Sequence, residues 1–500
     1  LRPEDIEVDF EPDTFGHPAT LPTILAQGGV KYYYHCRGSR GPHLYWWVGP
    51  DGSRVLAFND VQWYMCAIGP GISDALPKYS QTTGLKQMAV LYGVGDHGGG
   101  PTRRDLLRMR EMNEWPVFPN VAPARLHDFF RYAQANATDL PEITGERNFV
   151  FTGCYTTQAR QKWANRHGEN LLYAAEAAAV LGERLAGVPY PKANLSTAWK
   201  HLLFDQFHDI LPGSGVRETR HYALGRAQEG QAAAGMARSN ALRALAERVD
   251  TESLRAAFPD DPERSYKDDL EGGRAMGAGV GYAAGTGGES ASSVSRSSDR
   301  AFLIFNPLPH PRQDVVEVKL WDTGLTQDHL VVTGIGMDPQ MVQVLDSGTY
   351  WGHEYITVAF PVDVPGMGYR AVCVSDRLLD LGLTPETPVD PWSGAMGAWR
   401  KIGPADDTLE NEFLKVRINP ASGGIVSLID KRTGREWIPN GDQAGVFQYS
   451  VEANVGMSAW VIGPFMSQED LLDGGALKRV QSGPHLQAFR WSRKMGASTL

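Results

Sequence analysis

"VDFEPDTFGHPATLPTILAQGGVKYYYH", residues 8–35, decides the fold class. It reads in order as strand, loop, helix, a Gly28-Gly29 stop and a second strand, which is a βαβ unit. Residues 1 to about 110 continue to alternate short apolar runs with helical stretches, and "KQMAVLYGVGDHGGGPT" (86–102) reads as another strand ending in a glycine-rich loop. This is α/β organisation, and open α/β sheets and barrels place their ligands at the C-terminal ends of strands. Asp13 follows the strand "IEVDF" and Asp96 follows "MAVLYGV", so two carboxylates stand at two strand ends. That pairing suits the nucleophile and general acid of a glycosidase. Each also has a structural explanation: Asp13 as a turn or N-cap ahead of the helix, Asp96 as a loop carboxylate held by backbone amides. The glycines after Asp96 are not a P-loop, because Pro101 stands where Gly-Lys-Ser/Thr is required.

Residues 152–249 read as mostly helical, a bundle. In "FDQFHDIL" (204–211) the last helical turn carries His208 and Asp209, and Pro212 and Gly213 end the helix. Trp199, Leu202, Leu203, Gln206, Phe207 and Ile210 recur at helical spacing and predict one buried face, with His208 stacked over Phe204. A histidine there complements the negative end of the helix dipole, or it points into a pocket as a metal ligand. Between 257 and 300 the chain becomes rich in Gly and Ser, with too little large apolar content to offset ordering, and reads as a linker or long loop. "FLIFNPLPHPRQDVVEVKL" and "LENEFLKVRINPASGGIVSLIDKRTGREW" then read as strands of a β-sandwich.

Composition excludes several classes. The chain has 500 residues, of which 42% are apolar, but no run nears the ~18 uninterrupted apolar residues of a membrane span. Nothing at the start resembles a signal peptide. A formal net charge of −10, with no basic stripe, disfavours nucleic acid as partner. Cys36, Cys66, Cys154 and Cys373 form no C-x-x-C pair, so neither a zinc knuckle nor a disulfide framework is expected and a reducing, cytoplasmic compartment is the default. The densest aromatic cluster, "YYYHCRGSRGPHLYWWVGPDGSRVLAF" (32–58), suits either sugar stacking or core packing. Leu1 in place of Met, and a strand-like run broken off near 500, make both ends read as cut.

"PDTFGHPATLPTIL", "YGVGDHGGGPTRRDL", "GCYTTQARQKWANR", "AWKHLLFDQFHDILPGSG" and "FNPLPHPR", in this order and at these distances, resemble glycoside hydrolase family 38, the retaining α-mannosidases, on its microbial or cytosolic side. The resemblance covers nearly the whole chain. It implies an active-site Zn2+ held by two histidines and two aspartates, which touches sugar hydroxyls. By motif, Asp13 is nucleophile and zinc ligand, His208 a second zinc ligand, and Asp96 the general acid/base, although His97 stands where the motif usually has glycine. Asp209 and Tyr155 line the mannose subsite. The other two zinc ligands belong to a His-x-Asp pair on the family's first strand. His17, His35 and His43 are the only histidines before Asp96 and none is followed by Asp two residues on, so the pair is absent.

The expected architecture is an α/β catalytic domain, an incomplete α/β barrel-like sheet over residues 1–140. A helical bundle (141–256) completes the active site, followed by the linker (257–300) and a β-sandwich region (301–500). The expected function is removal of α-linked mannose from oligosaccharides by a retaining, zinc-dependent mechanism, with this chain alone inactive. The alternative is a non-catalytic carbohydrate-binding relative lacking a complete metal site, and a third reading is a metal-dependent hydrolase of a non-sugar substrate. Partners are a mannose-containing oligosaccharide, with no nucleic acid and no membrane, and the sequence leaves homo-oligomer formation open.

Overall fold

A computed structural model describes residues 5–38, 40–94, 98–251, 254, 289–291, 300–321, 323, 325–350, 353–377 and 407–500. Asp96, its neighbour His97 and nearly all of the 257–300 segment lie outside the described residues. The chain divides into two compact units, one made of Leu1–Leu171, Ser196–Ala233 and Glu452–Pro464, the other of Leu172–Leu195, Ala234–Val451 and Phe465–Leu500.

The first unit is built on strands β1 (Val8–Glu11), β2 (Tyr32–His35), β3 (Leu44–Val48), β4 (Arg54–Asn59) and β5 (Glu142–Thr144), in the order β1-β2-β4-β3-β5. Helix α1 (Leu21–Gln27) carries the chain from β1 to β2, which pair in parallel with Val8 opposite Tyr32. The expected βαβ unit is therefore present. β4 continues the parallel set, with Tyr32 opposite Leu56. The expected barrel-like sheet is not seen among the described residues: the sheet is open, with β1 and β5 at its edges. The cause is the tight turn at "GPDGS", where Gly49 and Ser53 bond and Asp51 accepts from the Ser53 amide. It folds β3 and β4 into an antiparallel hairpin, whereas a barrel of βα units needs parallel neighbours.

Three further helices, α2 (Leu76–Thr83), α3 (Arg103–Met112) and α4 (Leu126–Asn136), complete the layer. Thr102 and Asp105 close a capping box at the start of α3. One sheet face packs Tyr32, Tyr34, Leu56 and Phe58 against Tyr79, Phe129 and Phe130, while the other packs Tyr33, Tyr45 and Trp47 with Leu21 and Leu25. The aromatic cluster is thus core on both faces, and the sugar-stacking alternative for it fails. Each such ring is worth about 1.5–3 kcal/mol of burial, which explains why so many stand in a mixed sheet covered on both sides. Residues 86–94 do not form the expected strand. They make only a single bridge, Cys66 to Tyr92, because no neighbouring ladder is offered to them among the described residues.

Helices α5 (Ala159–Leu181), α6 (Lys192–Asp205) and α7 (Arg217–Ala246) match the predicted helical region. The face of α6 is not the predicted one: Leu195, Ala198, Leu202 and Asp205 are buried, while Leu203 and Phe207 are more than half exposed. Asp205 sits at 2% exposure, and burial pushes its carboxyl up to about 6, with Arg226 opposing. A raised folded value means that the folded state keeps the proton to higher pH than the unfolded chain does. Stability from this group is therefore intact below about 4 and falls as pH rises through about 6, by at most about 3 kcal/mol. Asp205→Asn should raise Tm at pH 7.5, with the gap to wild type narrowing towards pH 5. An equal gap at both pH values, read by calorimetry, would contradict this.

In the second unit, strands β6 (Glu289–Ala291), β7 (Arg300–Asn306), β8 (Arg312–Trp321), β9 (Val331–Gly334), β10 (Met337–Met341), β11 (Gln343–Tyr350), β12 (His353–Val364) and β13 (Gly368–Ser375) form two four-stranded sheets, ordered β10-β9-β13-β7 and β11-β12-β8-β6. Phe302, Val332, Val372 and Val374 of one sheet meet Val318, Leu320, Val358 and Phe360 of the other in a single core, which is the expected sandwich. After it, β14 (Thr408–Glu410), β15 (Leu414–Ile418), β16 (Ile425–Asp430) and β17 (Arg435–Glu436) form an antiparallel sheet, and further hairpins run to the end of the chain. No helix among the described residues is long and apolar enough to cross a membrane, and among the described residues no two cysteines are joined in a disulfide.

Candidate active site

β1, β2 and β4 are parallel, so their C-terminal ends lie along one edge of the sheet. Asp13 follows β1, Arg37 follows β2 and Asp60 follows β4, which is where an open α/β sheet holds its ligands. Asp13 is only 7% exposed, and it does not cap α1, whose N-cap is Thr20. Its two carboxylate oxygens have different partners. Oδ1 accepts a hydrogen bond from Arg37 Nε, and Oδ2 stands 3.2 Å from His208 Nε2.

The Arg37 guanidinium is enclosed by rings, with Phe15, Trp63 and Phe151 at 5.2, 5.1 and 4.9 Å from it. Phe15 and Phe151 meet edge to face, and Phe151 is held in the left-handed region at φ 54°, where a bulky side chain is rare. Such enclosure keeps the cation in place and adds about 0.5–2 kcal/mol per ring contact. Sequence reasoning missed Arg37, Phe15, Trp63 and Phe151. The available signal for Arg37 was positional: it follows β2 by two residues, as Asp13 follows β1.

His208 reaches Asp13 by a different route from the one expected. Helix α6 ends at Asp205, and the Phe207 amide bonds the Phe204 carbonyl at 3.2 Å, a tighter turn that stops the helix. His208 therefore lies in the following turn, not in a last helical turn, and the helix-dipole explanation loses its basis. Its ring packs on Phe207 at 4.3 Å and meets Phe15 edge to face at 5.9 Å, instead of stacking over Phe204. The turn is pinned from α5, where the Lys162 ammonium donates to the carbonyls of Thr157, Leu211 and Pro212 at 2.6, 3.1 and 3.1 Å. Gly213 is required there, because at φ 80° a Cβ would stand 2.6 Å from the Thr157 carbonyl oxygen.

Tyr155 is brought to the same place, its hydroxyl donating to the Phe15 carbonyl at 3.4 Å, with the ring 44% exposed. Asp209 is exposed beside His208 and lines a small, partly open surface pocket with Gln158, Gln161, Ile210 and Thr219. Asp96 cannot be placed against these groups, since it lies outside the described residues.

Asp13 and His208 suit a cation. Donors 2.0–2.2 Å from one tetrahedral zinc ion stand about 3.3–3.6 Å apart, and Oδ2 and Nε2, at 3.2 Å, are just short of that span and also at hydrogen-bond distance of each other. They are two groups, and a structural zinc site ordinarily takes four. Among the described residues no third His, Cys, Asp or Glu joins them.

Comparison with known proteins agrees with the architecture. The model of the Glycosyl hydrolases family 38 N-terminal domain matches residues 3–152, that of the alpha mannosidase middle domain 150–245, and that of the family 38 C-terminal domain 409–500. Alpha-mannosidase 2C1 of Homo sapiens is 31% identical over 229 residues, 43% of this chain and 21% of that protein. An alpha-mannosidase of Saccharomyces cerevisiae is 29% identical over 242 residues, 42% of this chain and 21% of its own length. The matched region thus spans about a fifth of these relatives. The crystal structure of an alpha-mannosidase from Enterococcus faecalis V583 has a TM-score of 0.61 at 16% identity, covering 97% of this chain and 54% of that one, which is a likeness of fold. With N-terminal, middle and C-terminal matches following one another along more than half of its residues, the chain belongs to glycosyl hydrolases family 38.

Proposed function

We propose that the chain carries the nucleophile and half of the metal site of a retaining α-mannosidase that acts on mannose-containing oligosaccharides. The observation that carries this reading is the divided carboxylate of Asp13 at the end of β1, with Arg37 on one oxygen and His208 3.2 Å from the other. In the proposed reaction an Asp13 oxygen attacks the anomeric carbon and the glycosidic bond breaks. Asp96 protonates the leaving oxygen, and then as base activates the water that releases mannose from the Asp13 ester. Tyr155 and Asp209 contact the sugar. Asp13 and His208 would hold a zinc ion, which supplies a positive centre for ring hydroxyls. The proposed setting is cytoplasmic.

Two ligands rarely fix zinc, so residues 1–500 alone should bind it weakly and show no α-mannosidase activity. Joining a strand with His-x-Asp upstream of Leu1, read from the genomic sequence there, should restore both. Metal content after dialysis and hydrolysis of an aryl α-mannoside by the two proteins test this. One zinc per molecule with turnover in the short chain would refute the ligand count, while neither zinc nor turnover in the extended chain would favour the carbohydrate-binding alternative, which lacks a complete metal site.

A milder effect is expected at Asp96. In the extended enzyme, Asp96→Asn should slow a mannose disaccharide far more than an activated aryl mannoside, whose leaving group needs little proton transfer. Equal losses on both substrates in first-step rates would remove Asp96 from that role.

A further inference from the structure

His17 and His35 were of interest in the sequence only as zinc ligands that lack the His-x-Asp spacing. Both are buried, at 1% and 0% exposure, with rings 5.2 Å apart. His17 Nε2 stands 3.2 Å and His35 Nδ1 2.7 Å from the same atom, the Arg37 carbonyl oxygen. We infer that His17 and His35 are positioning residues for Arg37, their two imidazole N–H groups converging on its carbonyl to fix the turn from which its guanidinium reaches Asp13. The inference rests on the reading of Asp13 as nucleophile.

The hydrogen-bond inventory sets both tautomers. A carbonyl has two lone pairs and cannot donate, so each imidazole nitrogen facing it carries the proton. The other nitrogen of each neutral ring must then accept, and a tyrosine hydroxyl meets each one. Tyr33 donates to His17 Nδ1 at 2.5 Å, and Tyr45 donates to His35 Nε2 at 2.8 Å. Burial agrees with neutral rings, pushing His17 down to about 4 and His35 down to about 3. Neither ring keeps a nitrogen free for a metal, which explains why these two histidines are not the missing ligands.

The rest of the turn is held in the same way. Arg147, 4% exposed, takes the His17 carbonyl with its amide at 2.8 Å and donates side-chain hydrogen bonds to the carbonyls of Gly38 (3.3 Å) and Arg40. Gly38 adopts φ 79°, and a Cβ there would lie 2.9 Å from the Arg147 carbonyl oxygen. Buried donors therefore reach the carbonyls of Arg37, Gly38 and Arg40, a density of restraint well beyond what a surface turn needs. Its product is a fixed origin for the side chain that holds Oδ1 of Asp13.

The test uses the extended enzyme and a double-mutant cycle. His17→Leu or His35→Leu should each lower kcat about 10- to 100-fold, with KM changed less than about threefold, since the loss is one of orientation. In an Arg37→Met background the same changes should cost less than about twofold more, because the guanidinium they position is gone. Additive losses would overturn the proposal. His17→Gln and His35→Asn keep an N–H directed at the carbonyl and should recover kcat to within about threefold of wild type. If these conservative variants lose as much as the leucine variants while keeping wild-type Tm, the inference is wrong. An activity-free reading comes from the side-chain nitrogen NMR of 15N-histidine protein at pH 7. His17 should be the Nε2–H tautomer and His35 the Nδ1–H tautomer, and the opposite tautomer or a doubly protonated ring at either position would also overturn it. An inactive wild-type extended enzyme would remove the mannosidase reading and leave the tautomer result to judge the clamp.

Discussion

Asp13→Asn in the extended enzyme should lower kcat on the order of 10⁴-fold or more, with the protein still folded. An amide oxygen is a poor nucleophile and cannot form the glycosyl ester, so the first chemical step has no substitute. The structure adds a second reason. The carboxylate presents one oxygen to Arg37 and the other to His208, and both of these neighbours are donors or share a cation with it. An asparagine has only one acceptor oxygen, so whichever way it turns, its NH2 group faces either the guanidinium or the imidazole. Because Asp13 is nearly buried, the mismatch should also cost about 1–3 kcal/mol of stability. Single-turnover rates with an aryl mannoside, with thermal unfolding alongside, check both effects. A variant retaining a tenth of wild-type kcat would end the nucleophile assignment.

The parts of this site that were legible in the sequence are those set by local pattern. The β1-α1-β2 unit could be read because alternation, helical spacing and the Gly28-Gly29 stop fall in sequence within 28 residues, and strand polarity then places Asp13. What was not legible depends on partners distant in the chain. Residues 86–94 have strand composition, but a strand needs a neighbour and these residues find one bridge. The end of α6 was placed too late because the Lys162 ammonium that pins the following turn comes from α5, 49 and 50 residues before Leu211 and Pro212. The rings of residues 32–47 gave no sign of whether they faced sugar or core, since burial on both faces of a sheet is a tertiary property. Arg37 lies outside the family motifs, and only the fold shows it beside Asp13.

His208→Leu should lower zinc affinity of the extended enzyme by about 10²-fold or more and remove turnover with it. Loss of an outer partner of a ligand already costs about 10–100-fold in affinity or activity, so loss of a direct ligand is at least as severe. Leucine is apolar and close in size, and the site offers it Phe207 and Phe15, the rings that now pack on the imidazole. His208 is partly exposed and its ring has no hydrogen-bond partner but Asp13 among the described residues, so the fold should tolerate the change to within about 1 kcal/mol. This separates the variant from Asp13→Asn, which disturbs a buried carboxylate. Added zinc should then rescue part of the His208→Leu activity at high concentration, because Asp13 and the His-x-Asp pair still provide three ligands, whereas no amount of zinc should rescue Asp13→Asn. Zinc titration of the two variants, followed by metal analysis and aryl mannoside hydrolysis, distinguishes a ligand from a nucleophile. Wild-type zinc content in His208→Leu would show that the 3.2 Å approach is a simple histidine–carboxylate contact and that the second histidine ligand must be sought elsewhere.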